Sequence, residues 1–237
     1  MMKKNKVAAI VLAAGQGRRM NSSVPKQYLV LNDKPVLYYA LKVFEDSLVD
    51  EIVLVTGKNQ IDYCKENIVE KYHFQKVVSI VEGGKERYDS VRIGLNAIKN
   101  ADYVYIHDGA RPFVTNCMIE KTYSAVQKEG ACVVGVPVKD TIKIADQSDY
   151  VVETPRREFV WTVQTPQVFE YQLILNAYEK LSWNKAADVT DDAMVLESMT
   201  GHKVKLVMGS YENMKITTPE DLVIAEAFFK CRHKKED

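Results

Sequence analysis

The sequence predicts an α/β fold: a Rossmann-like doubly wound, mostly parallel sheet from which a β-hairpin arm projects. Three observations carry this expectation. Apolar runs of strand length alternate with segments of helical periodicity. The first run, Val7–Ala13, is apolar throughout, as a strand covered on both faces must be. Residues 139–162 then break the alternation with two short strand signals joined by the polar turn Asp146-Gln147-Ser148-Asp149.

The elements follow in order. Pro35–Asp46 places Val36, Leu37, Ala40, Leu41 and Phe44 at helical spacing. Glu51–Thr56 reads as a strand, Gln60–Lys71 as a helix and Val77–Val81 as a short strand. Arg87–Asn100 puts Val91, Leu95 and Ile98 on one helical face. Tyr103–His107 is a strand that ends at Asp108, Asn116–Lys128 a helix and Cys132–Val138 a strand. Thr141–Ala145 and Tyr150–Glu153 form the arm hairpin. Helices return at Glu170–Leu181 and at Asp191–Met199, with Thr190 as N-cap of the latter. Lys203–Val207 is a strand. Thr218-Pro219-Glu220-Asp221 opens the last helix with a cap, a proline at the first position and acids in the first turn. Lys230–Asp237 reads as a charged tail. No linker or repeat interrupts the chain, so one domain spanning 1–237, with its arm at about 139–162, is expected.

Composition narrows the function classes. In 237 residues, 32 Lys+Arg balance 32 Asp+Glu. A net charge of zero excludes a strongly basic nucleic-acid-coating protein but leaves room for a local basic pocket. Cys64, Cys117, Cys132 and Cys231 form no Cys-x-x-Cys pair, and the four histidines show no ligand spacing, which argues against a zinc site or a disulfide framework. Reduced thiols fit a cytoplasmic location. Lys3, Lys4 and Lys6 before the first apolar run imitate a signal peptide, but a buried first strand explains the same letters. No run approaches the roughly 20 apolar residues of a membrane span.

Four strand ends hold residues suited to chemistry, and each has a plain structural explanation too. Leu12-Ala13-Ala14-Gly15-Gln16-Gly17-Arg18-Arg19-Met20, then Pro25-Lys26-Gln27, follows the first strand, where open α/β sheets bind ligands. Small residues let backbone N–H groups approach an anion, and Arg19 and Lys26 add fixed positive charge. It is neither a dinucleotide fingerprint, since Met20 stands where the third glycine belongs, nor a Walker loop. Gly83-Gly84 before Arg87-Tyr88-Asp89-Ser90 permits positive φ and offers Asp89 or Ser90 to a base; taken alone, it is better explained by a capped helix start. His107-Asp108-Gly109-Ala110-Arg111 offers a carboxylate for Mg²⁺ or a ribose, or an Asp–Arg pair that locks a loop, with His107 structural. Lys215, between Met214 and Ile216 on a strand end, faces either the cleft or solvent. All four ends belong to one sheet edge, and the combination fits phosphoryl or nucleotidyl transfer with Mg²⁺.

The first of these motifs resembles the sugar-nucleotidyltransferase signature. Five others make the chain similar to the 2-C-methyl-D-erythritol 4-phosphate cytidylyltransferase family: Gly83-Gly84-x-x-Arg87-x-x-Ser90-Val91, His107-Asp108-x-Ala110-Arg111-Pro112, Trp161-x-x-Gln164-Thr165-Pro166-Gln167, Thr190-Asp191 and Asn213-x-Lys215-Ile216-Thr217. The resemblance runs from about Val7 to Phe229. It implies the nucleotide-diphospho-sugar transferase type of fold and the transfer of a cytidylyl group from CTP to the polyol phosphate. Ala13, Ala14, Gly15 and Gly17 would wrap the nucleotide, and Arg19 and Lys26 would stabilise the triphosphate. Gly84 and Ser90 would read cytosine, and Asp108 and Gly109 would lie by the ribose, Asp108 also by Mg²⁺ or another divalent cation. Arg157 and Lys215 would hold the sugar phosphate, helped by Arg111, Thr141, Thr165 and Thr190. The family's arm crosses to a partner subunit, so a homodimer is implied. Alanine often stands where this chain has Gly109, and an acid where it has Lys85; the first change should matter little, whereas the second removes any contact an acid would make there. Two other readings are weighed. A ribitol 5-phosphate cytidylyltransferase shares fold and chemistry, but Ala13-Ala14-Gly15 and Ala110-Arg111 favour methylerythritol. A non-catalytic nucleotide-binding module would lack at least one of Arg19, Lys26 and Lys215, and all are present.

Overall fold

The computed structural model describes residues 4–15, 17–20, 22, 24–181 and 189–233. β1 (Val7–Ala13) runs through the sheet interior. Val7, Ala9, Val11 and Ala13 enter one core and Ala8 and Ile10 the other, which is why the strand carries no polar residue. A short hairpin, β2 (Val30–Leu31) and β3 (Lys34–Pro35), leads into α1 (Val36–Glu45). Then come β4 (Glu51–Thr56), α2 (Ile61–Cys64, continued as a π-helical turn over Lys65–Glu70) and β5 (Val77–Glu82). α3 (Arg87–Ala97) precedes β6 (Tyr103–Asp108), and α4 (Asn116–Glu129) precedes β7 (Ala131–Pro137). The arm holds β8 (Ile144–Ala145) and β9 (Val151–Glu153). β10 (Trp161–Glu170), α5 (Tyr171–Lys180), α6 (Asp192–Thr200), β11 (Lys205–Met208) and α7 (Pro219–His233) complete the described chain.

Seven strands form one sheet in the order β11-β7-β10-β6-β1-β4-β5. All pairs are parallel except those of β10, which lies antiparallel between β6 and β7. Leu37, Leu41 and Phe44 of α1 and Met118, Ile119 and Val126 of α4 cover one face. Val91 and Leu95 of α3, Ile174, Ala177 and Tyr178 of α5 and Val195 and Leu196 of α6 cover the other. Each such fully buried aliphatic side chain stabilises the fold by ~1.5–3 kcal/mol. A third cluster fastens α7 through Ala225 to Met20, Leu31, Val36, Phe113 and Ile216, so the last helix braces the loops beside the first strand.

The doubly wound sheet and the hairpin arm are as the sequence predicts. The largest difference is β10. The sequence reading places no strand between Glu153 and Lys203 and treats Trp161–Gln167 only as a motif. Polar Gln164, Thr165 and Gln167 hide a ten-residue strand because their side chains are buried in hydrogen bonds rather than in apolar contacts. A register shift between Val163 and Gln167 re-aims the residues there toward the sheet edge. Smaller corrections follow from local chemistry. The N-cap of α6 is Asp191, not Thr190: Asp191 Oδ1 accepts from Met194 N at 2.9 Å. α3 ends at Ala97, because Ile98 turns extended and drops into the core. The arm strands are shorter than predicted, and the predicted 203–207 strand is Lys205–Met208. Residues 230–233 continue α7 instead of starting a tail; 234–237 lie outside the described residues. Among the described residues no helix is long and apolar enough to cross a membrane, and the four cysteines are free.

Candidate active site

The C-terminal ends of β1 and β6 lie side by side, with Leu12 opposite Asp108 in the register. That pairing brings the loop after β1 next to the one after β6. Arg18–Met20 and Lys26–Tyr28 form single 3₁₀ turns in the first loop, and Gly17 takes φ +62°, which a side chain would strain. Gln27 is buried and donates to the Ala13 carbonyl at 2.6 Å, pinning the loop to the strand. Gly83 and Gly84 do not adopt the positive φ that their pairing suggested. Gly83 is required for close approach: a Cβ there would lie 2.6 Å from that of Ala14 and 2.7 Å from Ser90 Oγ. The Gly84 amide donates to Ser90 Oγ, and Glu86 and Asp89 form a reciprocal capping box, so the helix-start explanation of this motif also holds. A Cβ on Gly109 would meet Leu37 Cδ1 at 2.7 Å and Leu12 O at 3.0 Å. An alanine there therefore needs Leu37 to shift, a larger change than the sequence comparison implied.

Cations converge on Asp108. Lys215 Nζ lies 2.7 Å from its Oδ2, and Arg87 Nε 3.3 Å from its Oδ1. Burial alone would raise the Asp108 carboxyl; Arg87, Lys215 and Arg111 overrule it and hold the group well below the usual carboxylate range. The Asp108–Arg111 lock, the plain alternative for this motif, forms no side-chain bond: Arg111 N donates to Asp108 O at 3.0 Å, Arg111 Nη1 donates to Asn213 O at 2.8 Å, and its buried Nε has no partner. Lys26 Nζ donates to Ile216 O at 2.8 Å. Burial, with repulsion from Lys215, Arg19 and Arg111, lowers the Lys26 ammonium to about 8. Lys215 sits in the irregular segment before α7 rather than on a strand. That segment is tied down by Asn213, whose Nδ2 donates to Gln164 Oε1 and Thr165 O, and by the Glu212–Arg232 ion pair at 2.7 Å.

Of the residues singled out in the sequence, the structure thus brings Lys26, Asp108, Arg111, Thr165, Thr190 and Lys215 to one cleft edge, with Arg19 near enough to act on Lys26. A cavity of about 270 Å³ is lined by Arg87, Asp108, Arg111, Gln164, Thr165, Gln167, Thr190, Asp191 and Lys215 among others. Another of about 290 Å³, between β2 and α7, gathers Asp33, Glu226 and Lys230 but no convergent cations. Thr141 and Arg157 are not in the cleft. Both are exposed on the arm, where Arg157 Nη1 donates to Lys139 O at 3.0 Å. The sequence reading gave no role to Arg87 and Gln167. Both stand inside quoted motifs, but only the fold reveals that Arg87 grips Asp192 and that Gln167 Oε1 accepts from Asp192 N and Ala193 N.

His107 is structural, as read. It is wholly buried; Nε2 donates to Arg111 O, which leaves Nδ1 to accept from Thr165 Oγ1, itself the acceptor for Asp108 N. Burial lowers its pKa from 6.5 to about 4. Between those values the unfolded chain binds a proton that the folded chain refuses. Stability therefore falls as pH drops from 6.5 to 4, by about 3 kcal/mol for this group. Urea unfolding across that range should show the loss, and His107→Gln should flatten it; an equal slope in the variant contradicts the assignment.

A cationic cluster at the carboxyl edge of a doubly wound sheet, beside a glycine loop, is the arrangement of a protein that binds a nucleotide or another phosphate compound. The model of the family described as "IspD: 2-C-methyl-D-erythritol 4-phosphate cytidylyltransferase" matches residues 7–231, and the chain belongs to that family. It is 53% identical over 225 residues to the 2-C-methyl-D-erythritol 4-phosphate cytidylyltransferase of Lachnoclostridium phytofermentans, covering 95% of this chain and 97% of the relative. The Alkaliphilus oremlandii enzyme of the same name is 48% identical, covering 97% and 98%. Among solved structures, 4-diphosphocytidyl-2C-methyl-D-erythritol synthase from Anaerococcus prevotii superposes with a TM-score of 0.82 at 36% identity, covering 95% of this chain and 99% of that one.

Proposed function

We infer that this chain transfers a cytidylyl group from CTP to 2-C-methyl-D-erythritol 4-phosphate, giving 4-diphosphocytidyl-2-C-methyl-D-erythritol and pyrophosphate. The observation that carries this reading is the cationic cluster of Lys26, Arg111 and Lys215 around Asp108 on the edge of the β1–β6 pair. The acceptor's phosphate oxygen attacks the α-phosphorus of CTP, and the α–β bridging oxygen departs with pyrophosphate. Negative charge passes from the attacking oxygen to the departing pyrophosphate, so cations fixed beside the triphosphate bind the transition state more tightly than the ground state. Lys26 and Arg19 serve the triphosphate, with Ala13, Ala14, Gly15 and Gly17 around it. Gly84 and Ser90 serve the base and Gly109 the ribose. Lys215, Arg111, Thr165 and Thr190 serve the acceptor. The unpaired Arg111 Nε is a buried donor available to an anion. Ribitol 5-phosphate as acceptor is not favoured, since the matched family and the relatives are named for methylerythritol phosphate.

Among the described residues, no group of three or more His, Cys, Asp and Glu side chains forms a metal cage. Asp108 stands in the cleft beside the proposed phosphate site, with the Asp191 carboxylate also on the lining. That donor set fits Mg²⁺, or another divalent cation, in the mode where one carboxylate and substrate phosphates share the ion. When bound, the ion neutralises phosphate charge. EDTA is expected to abolish pyrophosphate release and added Mg²⁺ to restore it; full activity in chelator means the side-chain cations suffice.

The arm supports a homodimer. Ile144, Tyr150, Val151, Val152 and Phe159 are exposed on it, Tyr150 at 74%, an apolar surface that a twofold partner would cover. Thr141 and Arg157, outside their own chain's cleft, would then complete the partner's acceptor site. The reading as a whole, including a cytoplasmic setting with CTP and a small polyol phosphate as partners, is tested by pyrophosphate release from CTP with each candidate polyol phosphate.

A further inference from the structure

Behind the cleft a line of hydrogen-bonded groups leads from the helix layer to Asp108. Tyr178 of α5 donates to Asp192 Oδ1 at 2.6 Å. Asp192, the first residue of α6, has no exposed surface. The Arg87 fork closes on it with both terminal nitrogens, Nη1 to Oδ1 at 2.9 Å and Nη2 to Oδ2 at 2.8 Å. The remaining Arg87 donor, Nε, faces Asp108 Oδ1, while Lys215 holds Oδ2. Five side chains from five parts of the fold are thereby placed in series, and the last two are candidate site residues.

We propose that the Arg87–Asp192 pair is a positioning device of the transfer site, fixing the Asp108 carboxylate and, through it, the place of Lys215. The proposal rests on the cytidylyltransferase reading. Two physical arguments carry it. First, a buried ion pair adds little net stability over an apolar pair of the same volume, because desolvation offsets the attraction. Complete burial of Asp192 therefore gains little for the fold. What it does supply is direction: a bidentate fork fixes the plane of the guanidinium and hence the line of its Nε. Second, Asp192 neutralises Arg87. Lys215, Arg19 and Arg111 already repel the Lys26 ammonium in this cleft, an effect second to its burial. Arg87 adds orientation at Asp108 without adding net charge to that cluster.

The alternative is that the pair only ties α3 to α6. The paired replacement Arg87→Met with Asp192→Leu in the full chain separates the two, since it leaves neither charge buried alone. Its melting temperature should fall by no more than the loss of a single buried hydrogen bond costs, since the one buried group left without a partner is the Tyr178 hydroxyl. Its kcat for CTP and methylerythritol phosphate should fall by about 10–100-fold, as when a supporting partner of a site residue is lost, with each KM changed by less than about threefold. Arg87→Lys, which keeps charge but loses the fork, should share the kcat loss and not rescue it. A crystal structure of the paired variant should show Asp108 turned away from Lys215. Parent-level turnover in the paired variant, or Asp108 still seated on Lys215 in its structure, overturns the proposal. Should the paired variant fail to fold, Tyr178→Phe removes a single hydroxyl from Asp192. A kcat loss of about 3–10-fold at unchanged KM supports the proposal, and unchanged kcat overturns it. If the parent releases no pyrophosphate, the activity reading fails by itself, and the position of Asp108 in the variant structures still decides the positioning role.

Discussion

Replacing Lys26 with alanine is expected to lower kcat by roughly 10²–10³, the loss seen when one preorganised charge-stabilising donor is removed. Lys26 is nearly buried, held by a bond to Ile216 O, and surrounded by Arg19, Arg111 and Lys215. Folding gains nothing from packing these cations together, and the ammonium is already weakened to about 8. The variant should fold with a melting temperature close to the parent's, because relief of repulsion offsets the lost bond to Ile216 O. Burial of Lys26, and then this crowding, set a pH limb. Below pH 8 the free enzyme carries the ammonium and above it does not, so kcat/KM for CTP should decline as pH rises through about 8. Lys26→Arg, whose guanidinium stays charged, should move that limb upward. Near-normal kcat in a folded Lys26→Ala chain contradicts the role given to this loop.

On the proposed arm-mediated homodimer, deleting residues 142–152 and closing the gap with a short Gly-Ser link should leave a folded monomer with low activity. The hairpin has only two- and three-residue strands, and a two-stranded ribbon standing alone is marginal. All its strand residues are exposed, with Val152 at 61% and Val151 at 58%. Such a surface is stable in water only when something covers it, and a second arm about a twofold axis covers both at once. Activity should fall with the association because Thr141 and Arg157 stand at the arm's roots, away from their own cleft. A deletion variant that still scatters light as a dimer places the interface elsewhere.

The sheet was legible because Val7–Ala13, Glu51–Thr56 and Tyr103–His107 are apolar runs with turn residues between them, and both cores draw on them alternately. The last helix was legible from its cap: Asp221 Oδ2 accepts from Thr217 N and Thr218 N, as acids early in a helix do. β10 was not legible, since Gln164, Thr165 and Gln167 are buried for their hydrogen bonds and periodicity counts only apolar letters. In the site, Lys26, Asp108 and Lys215 could be named because each follows a strand or loop signal. Arg87 and Asp192 could not be joined on sequence alone. They are 105 positions apart, and only the packing of α3 against the α5–α6 layer lets the fork close. Whether Thr141 and Arg157 act in a partner's cleft is likewise a matter of assembly, which no local pattern encodes.

The most direct test of the central claim is to incubate the full chain with CTP and Mg²⁺, separately with 2-C-methyl-D-erythritol 4-phosphate and with ribitol 5-phosphate, and to identify products by mass spectrometry. The account predicts 4-diphosphocytidyl-2-C-methyl-D-erythritol and equimolar pyrophosphate in the first mixture, at a rate well above any product in the second. CDP-ribitol as the dominant product, or pyrophosphate from neither mixture, would contradict it.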